Sequence, residues 1–386
     1  MKLNDGHLAY CTNIHPAETW EETWQALKAH TLVVRDKVAA ASPHATDSGY
    51  AIGLRLSAIA AEELLQNDHL EAFQQWLDEE NCYIFTINGF PYGSFHGTRV
   101  KEKVYQPDWT SADRLKYTHD LFTIMAQLVP DGLDGSVSTL PGSFKEFQAD
   151  EVAIFKNLEA CAIDIEKLSL AHNCDLHLGL EPEPLGHFEN TEETLGFFGR
   201  LLANVDDPEL VKRRIGINYD TCHFALEFDS CHASLDALRA AGLRISKVHL
   251  SSALEFDPAS SDAVAAIRAF DEPTYLHQVI TRNHQGNITR YKDLPDFFSQ
   301  RESSDLELDP TSQARVHFHI PLYAQPEAPL RSTQSHAVDA LDYLKKHPDF
   351  CSHFEIETYT WGVLPDSLQI PIEDQIAQEY AWVLTK

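Results

Sequence analysis

Positive charge is scarce in this 386-residue chain. Lys and Arg number 30 against 59 Asp and Glu, a formal net charge of −29. A surface this acidic repels phosphate backbones, which argues against a general nucleic-acid binder. It also has little to hold it on an anionic membrane. Long apolar runs are missing: no stretch of about eighteen apolar residues offers a membrane span. The N-terminal segment MKLNDGHLAYCTN lacks the apolar run of a signal peptide. The expectation is a cytoplasmic protein with no membrane insertion. Paired cysteines are missing too. The seven Cys are scattered with no CxxC pair, which reads as reduced thiols. No GxGxxG follows the first apolar run, which weakens a Rossmann reading. No GxxxxGK[ST] occurs, which excludes a P-loop nucleotidase.

What is present is a globular core composition, 43% hydrophobic and 10% aromatic, arranged in alternation. Apolar runs with strand character are expected at Leu8–Ile14, Tyr50–Ser57, Cys82–Asn88, Gly135–Leu140, Asp175–Glu181, Arg214–Asp220, Ile245–Leu250, Arg315–Ile320 and Phe354–Tyr359. Between them lie stretches with helical spacing, such as Thr19–Ala40, where Trp20, Trp24, Leu27 and Leu32 form one stripe. Ala58–Glu79, Ser111–Val129 and Gln148–His172 are further helix candidates. This alternation predicts an α/β fold with a parallel sheet, a (β/α)₈ TIM barrel. A single barrel domain spanning 1–386 is expected, with residues 251–313 as an insertion or rim segment between the seventh and last strands. The nine strand candidates are one too many, so either RVHFHI or FEIETY is the eighth barrel strand. TRNHQGNITRYKDL reads as a hairpin within the insertion.

A barrel's functional residues lie at the C-terminal ends of its strands. Four strand ends carry metal-ligating types in chain order: Glu181, Asp220, His249, and either Glu355 or Glu357. A buried carboxylate is costly unless paired or metal-bound. Such a set suits Mn²⁺, Mg²⁺, Zn²⁺ or Fe²⁺. The two-residue strand period puts His177, Gly179 and Glu181 on one face, as it does Asn218 with Asp220 and Lys247 with His249. Leu178, Leu180 and Val248 then face the helices. Each residue alone has a plainer reading: Glu181 as a strand terminus before proline, Asp220 as a helix cap, His249 as a structural histidine.

The ordered set Glu, Asp-x-x-His, His, Glu resembles the xylose-isomerase-like, or endonuclease-IV-like, barrel superfamily. That resemblance implies a divalent metal on Glu181, Asp220, His249 and Glu357, since Glu357-Thr358 fits the family's last ligand better than Glu355-Ile356. His223 matches a family residue that contacts substrate or a second metal. His317 and His319 resemble the Asp-x-His that supplies another metal in the nuclease branch, with His317 departing from the Asp. NGFPYGSFHGTRVKEKVYQPDW, HFHIPLY and EIETYTWGVLP resemble EboE-type metabolite traffic proteins, over about residues 5–385. This implies a place in an ebo-type metabolite pathway, with other proteins of the same gene cluster as partners.

The first functional expectation is a metal-dependent isomerase or epimerase of a polyhydroxylated, sugar-like small molecule. It would act through a metal-stabilised enediolate. Glu181 and Glu357 would move the proton, and His223 would hold a substrate oxygen or shuttle a proton. The second is a non-catalytic metabolite-binding or scaffold barrel. The third is a metal-dependent hydrolase or phosphoesterase with two or three metals, drawing on His317 and His319. Substrate contacts are expected from His15, Asn88, Tyr92, His96, His317, His319 and Trp361. Arg99, Arg282 and Arg290 are loop candidates for gripping a phosphate, carboxylate or sugar hydroxyl.

Overall fold

The computed structural model describes residues 1–93, 96, 100–303, 312–365 and 368–386. Arg99 lies outside them.

Eight parallel strands form the central sheet. They are β1 (Gly6–Tyr10), β2 (Tyr50–Arg55), β3 (Cys82–Asn88), β4 (Asp134–Thr139), β5 (Asp175–Leu180), β6 (Ile215–Asp220), β7 (Ile245–Leu250) and β8 (His353–Ile356). Each pairs with the next from β2 to β8, and β8 pairs with β1. A parallel bridge between Cys11 and Gly53 spans the seam between β1 and β2. The result is a (β/α)₈ barrel, with the short strand Lys2–Leu3 added antiparallel to β1. FEIETY therefore supplies the eighth strand.

The two-residue period sorts the side chains. Leu178, Leu180, Ile217, Tyr219 and Val248 lie in the apolar core shared with the surrounding helices. His177, Asn218, Lys247, His249 and Glu355 are buried polar residues of the same strands. Helices begin where the sequence supplies caps: Ser57 accepts from the Ala60 N–H, Asp150 from Val152 and Asn190 from Glu193. Each such cap is worth about 1 kcal/mol.

Gly53 has a particular reason to be glycine. A Cβ there would lie 2.1 Å from Glu355 Oε1 and 2.5 Å from the Tyr10 carbonyl oxygen. Only a bare backbone lets the Glu355 carboxylate cross the barrel interior at this height.

Three boundaries differ from expectation. The first strand stops at Tyr10 and a 3₁₀ turn, Thr12–Ile14, carries Asn13 onto the barrel mouth. The long segment after β2 is two helices, Ala58–Leu64 and His69–Glu79. Asn67, in the left-handed region at φ 52°, breaks them apart. RVHFHI is a strand only over Gln313–Val316.

That strand belongs to a second sheet, inserted between β7 and β8. Its order is Ile288–Tyr291, Val279–Arg282, Gln313–Val316, Leu254–Phe256, Arg331–Ser332, all antiparallel. The expected hairpin forms its edge, with Arg282 and Arg290 on its two strands. Leu254, Phe256, Ile267, Phe270, Val279, Phe297 and Val316 give it a core of its own. Past Val316 the chain runs over the barrel mouth, and Ile320 N–H bonds the Ser252 carbonyl at 2.9 Å. No helix among the described residues is long and apolar enough to cross a membrane.

Candidate metal centre

Glu181 is the first residue past β5, Asp220 ends β6, His249 is the penultimate residue of β7, and Glu357 is the first past β8. The ladder continues into the two glutamates, whose N–H groups bond the Thr139 and Leu250 carbonyls. Each of the four residues offers an atom within 4.8 Å of the others'. His249 Nδ1 lies 3.0 Å from Glu181 Oε1, 3.7 Å from Asp220 Oδ2 and 3.9 Å from Glu357 Oε2. All four side chains are buried.

Three carboxylates around one imidazole leave an excess of negative charge on buried side chains, and that excess calls for a cation. Asp220 Oδ1 accepts from the Cys222 and His223 N–H groups and the Ser251 hydroxyl. Its Oδ2 has no hydrogen-bond partner although buried. An oxygen left open beside two other carboxylates is what a ligand atom requires. Harder divalent ions suit this oxygen-rich set.

The other side of His249 is equally organised. Its Nε2 sits 2.8 Å from Glu355 Oε2, which also pairs with Lys247 Nζ at 2.6 Å. Glu357, not Glu355, thus joins the carboxylate cluster, while Glu355 holds the imidazole from behind. Burial alone would lower the His249 pKa, but the Glu181 and Glu357 carboxylates hold it well above its usual value. Burial would raise Asp220, and the facing imidazoles of His223, His249 and His319 keep it far below the usual range. Glu357 is lowered likewise, burial being outweighed by His249 and His319. Lys247 and hydrogen bonding from His249 overcome burial at Glu355 and bring it down to about 2.

A cavity of about 60 Å³ opens onto the cluster. Its polar wall includes Glu181, Glu357, Asn88, Glu183, His223 and His317, with Asn13, Lys101 and Gln278; Phe90, Tyr105, Leu276 and Tyr359 are among its apolar and aromatic lining, with Tyr275. Of the residues expected to meet substrate, Asn88 and His317 reach this wall. His319 is buried behind His317, their Nε2 atoms 3.2 Å apart. His96 bonds the carbonyl of Asn13 and the hydroxyl of Tyr275, both wall residues. His15, Tyr92 and Trp361 do not line the cavity. His15 stacks on His30, centroids 4.5 Å apart, and bonds the Tyr10 hydroxyl. Tyr92 packs edge-on against Tyr117. Trp361 donates its indole N–H to the Ile370 carbonyl and packs against both cores.

Several wall residues escaped the sequence reading. Glu183 stands two residues from Glu181 in the same double-proline motif, a legible signal. Burial, then the Glu181 carboxylate, push its pKa well above the usual range. Tyr275 and Gln278 come from the insertion, where nothing in the local sequence marks them.

No protein-family model matches this chain, and no curated protein does. Solved structures are similar to it in fold. One is the probable 3-DHS dehydratase AsbF involved in petrobactin synthesis, from Bacillus anthracis. It is 14% identical, with a TM-score of 0.49 over 100% of this chain and 99% of that one. A xylose isomerase-like TIM barrel protein from Mycobacterium smegmatis, in complex with magnesium, is 12% identical. Its TM-score is 0.48, covering 98% of this chain and 94% of that one. The 3-keto-D-glucoside 4-epimerase YcjR from E. coli is 11% identical, TM-score 0.46, over 98% and 99%. The strand order, rather than these likenesses, establishes the barrel.

Proposed function

We propose that the protein is a divalent-metal-dependent isomerase or epimerase of a small, polyhydroxylated, sugar-like metabolite. The observation that carries the reading is the pairing of Glu181 and Glu357. They directly follow β5 and β8, non-adjacent strands, yet meet in one buried cluster that opens into the cavity.

A divalent ion on Glu181, Asp220, His249 and Glu357 would polarise adjacent substrate oxygens and stabilise the negative charge of an enediolate. The chain's own groups do the rest. A carboxylate of Glu181 or Glu357 takes the proton from the carbon beside the carbonyl, and one of the two returns it. Asn13 Nδ2 donates to Glu357 Oε1 at 2.9 Å and fixes that carboxylate's direction. His223, on the cavity wall, holds a substrate oxygen. Asn88 and His317 are placed to meet further hydroxyls. Phe90, Tyr105, Tyr275 and Tyr359 form the aromatic wall of the cavity.

The resemblance of the loop after β3 and of EIETYTWGVLP to EboE-type proteins supports a place in an ebo-type pathway. The reading is of a cytoplasmic, single-domain enzyme working beside other proteins of that cluster.

The test is to incubate the metal-loaded protein with aldoses, ketoses and cyclitols in deuterated water. Interconversion with deuterium entering beside the carbonyl is expected, and Glu181→Gln or Glu357→Gln should abolish both. Metal-loaded protein that binds these compounds without exchange would leave the carrier reading. Hydrolytic turnover of phosphoesters would replace the isomerase by a hydrolase.

A further inference from the structure

The cavity beside the carboxylate cluster is small. At about 10–15 Å³ for each water, its volume of about 60 Å³ has room for about four to six waters. Bonded atoms sit closer together than waters, so the same space takes a molecule of about six to eight non-hydrogen atoms. A triose has six such atoms and a tetrose eight, against ten in a pentose and twelve in a hexose or inositol. The open polar atoms are few as well. Asn13 Oδ1, Glu183 Oε1 and the Tyr105 hydroxyl are buried, belong to residues of the cavity wall and have no hydrogen-bond partner. Such atoms are costly to leave open, and the hydroxyls of a bound molecule would satisfy them. Asn13 Nδ2 donates to Glu357 Oε1, which fixes the amide so that its oxygen is left to accept.

The wall is braced against widening. His96 ties the Asn13 carbonyl to the Tyr275 hydroxyl. The Val100 and Lys101 N–H groups both bond the Thr274 carbonyl, at 3.0 and 3.2 Å. Lys101 Nζ pairs with Asp293 Oδ2, and Asp293 Oδ1 accepts from the His277 and Leu294 N–H groups. Gln278 Nε2 donates to the Pro184 carbonyl at 3.0 Å. The loop after β3 and the insertion are thus fastened to one another where they line the cavity. Charge limits the occupant too. Glu181, Glu183 and Glu357 border the cavity, and Lys101 is already paired with Asp293. A phosphate or a free carboxylate would meet like charge there.

We propose that the substrate is an uncharged three- or four-carbon hydroxy-aldehyde or hydroxy-ketone whose hydroxyls are read by Asn13, Tyr105 and Glu183. The inference rests on the isomerase reading and narrows it to the smallest sugars. Leu276 and Lys101 line both this cavity and a neighbouring groove of about 510 Å³. They are the partition between the two spaces, and the Leu276 side chain sets the size limit on that side.

The experiment follows deuterium from deuterated water into dihydroxyacetone, D-glyceraldehyde, L-erythrulose, D-xylose and D-fructose with the full chain loaded with Mn²⁺. Exchange is expected in the first three, with kcat/KM for D-xylose and D-fructose lower by about 100-fold or more. Comparable rates for the pentose and hexose overturn the size limit and leave the isomerase reading standing. Faster exchange of dihydroxyacetone phosphate than of dihydroxyacetone overturns the uncharged assignment. Leu276→Ala should join cavity and groove and raise the ratio of D-xylose to dihydroxyacetone exchange by about tenfold or more; an unchanged ratio overturns the partition. Binding is read without turnover by saturation-transfer NMR, where glycerol is expected to bind and xylitol and myo-inositol to stay free. Glycerol binding with no exchange in any sugar sinks the isomerase reading and keeps the size limit. Xylitol binding as well as glycerol, or neither binding, overturns the size limit.

Discussion

The Nε2 atom of His249 lies 2.8 Å from Oε2 of Glu355, on the side of the ring away from Glu181. Glu355 serves two buried partners at once, since Lys247 Nζ lies 2.6 Å from the same oxygen. All three side chains are fully buried.

Removing one charge from this set should therefore cost more than removing two. Glu355→Gln leaves Lys247 buried and unpaired, a loss of about 3–5 kcal/mol. Adding Lys247→Met to it should recover much of that loss. Urea unfolding of the single and double variants measures both. Equal destabilisation in the two would show that the Lys247 pairing is not the source.

Gly53→Ala should be felt at the same place. The added methyl would start 2.1 Å from Glu355 Oε1 and 2.5 Å from the Tyr10 carbonyl. Overpacking of this kind costs about 1–3 kcal/mol or more, and moving Glu355 loosens the support of His249. A fall in melting temperature together with weaker metal binding is expected. A variant as stable as the parent would refute the close approach.

Asp220→Ala should remove most metal from the carboxylate centre while leaving the fold largely intact. The capping bonds to the Cys222 and His223 N–H groups are lost with it, at about 1 kcal/mol. Asp220→Asn keeps an oxygen for the cap and should separate the two effects. Elemental analysis beside circular dichroism decides; full metal content in the alanine variant would rule Asp220 out as a ligand.

Acid should destabilise the fold well above the carboxylate range. Burial lowers His15, His177 and His336 to about 3 each. They stay neutral in the fold, while the unfolded chain takes up protons at about pH 6.5. Stability is lost progressively as pH falls below about 6.5, and each such histidine adds a slope of about 1.4 kcal/mol per pH unit down to its folded value. His336→Gln should lower the slope by about that amount between pH 4 and 6. An unchanged slope in the unfolding free energy would show that His336 is not one of these groups.

The barrel was legible because parallel strands buried on both faces write themselves as short apolar runs between helical stripes. Helix boundaries were less so, as at Asn67, where one left-handed residue splits a continuous pattern. Glu181, Asp220 and His249 stood out because a strand end at the barrel mouth is a fixed address. Tyr275 and Gln278 did not, since an insertion loop has no periodicity that states where it folds back. His15, Tyr92 and Trp361 show the converse: an eye-catching residue near a strand end can be satisfied by neighbours outside the cavity.

What the sequence determined by itself is local or periodic: the alternation of strands and helices, the polar face of each strand, and the order of ligating residue types along the chain. The tertiary structure decided which of Glu355 and Glu357 sits in the carboxylate cluster. Two residues apart, they share a strand face, and only the heights of the neighbouring strands send one behind His249 and the other beside Glu181. It also decided that RVHFHI leaves the barrel for the inserted sheet. Barrel closure needs β8 paired to β1 as well as β7, and that pairing is a contact between distant segments which no local pattern records.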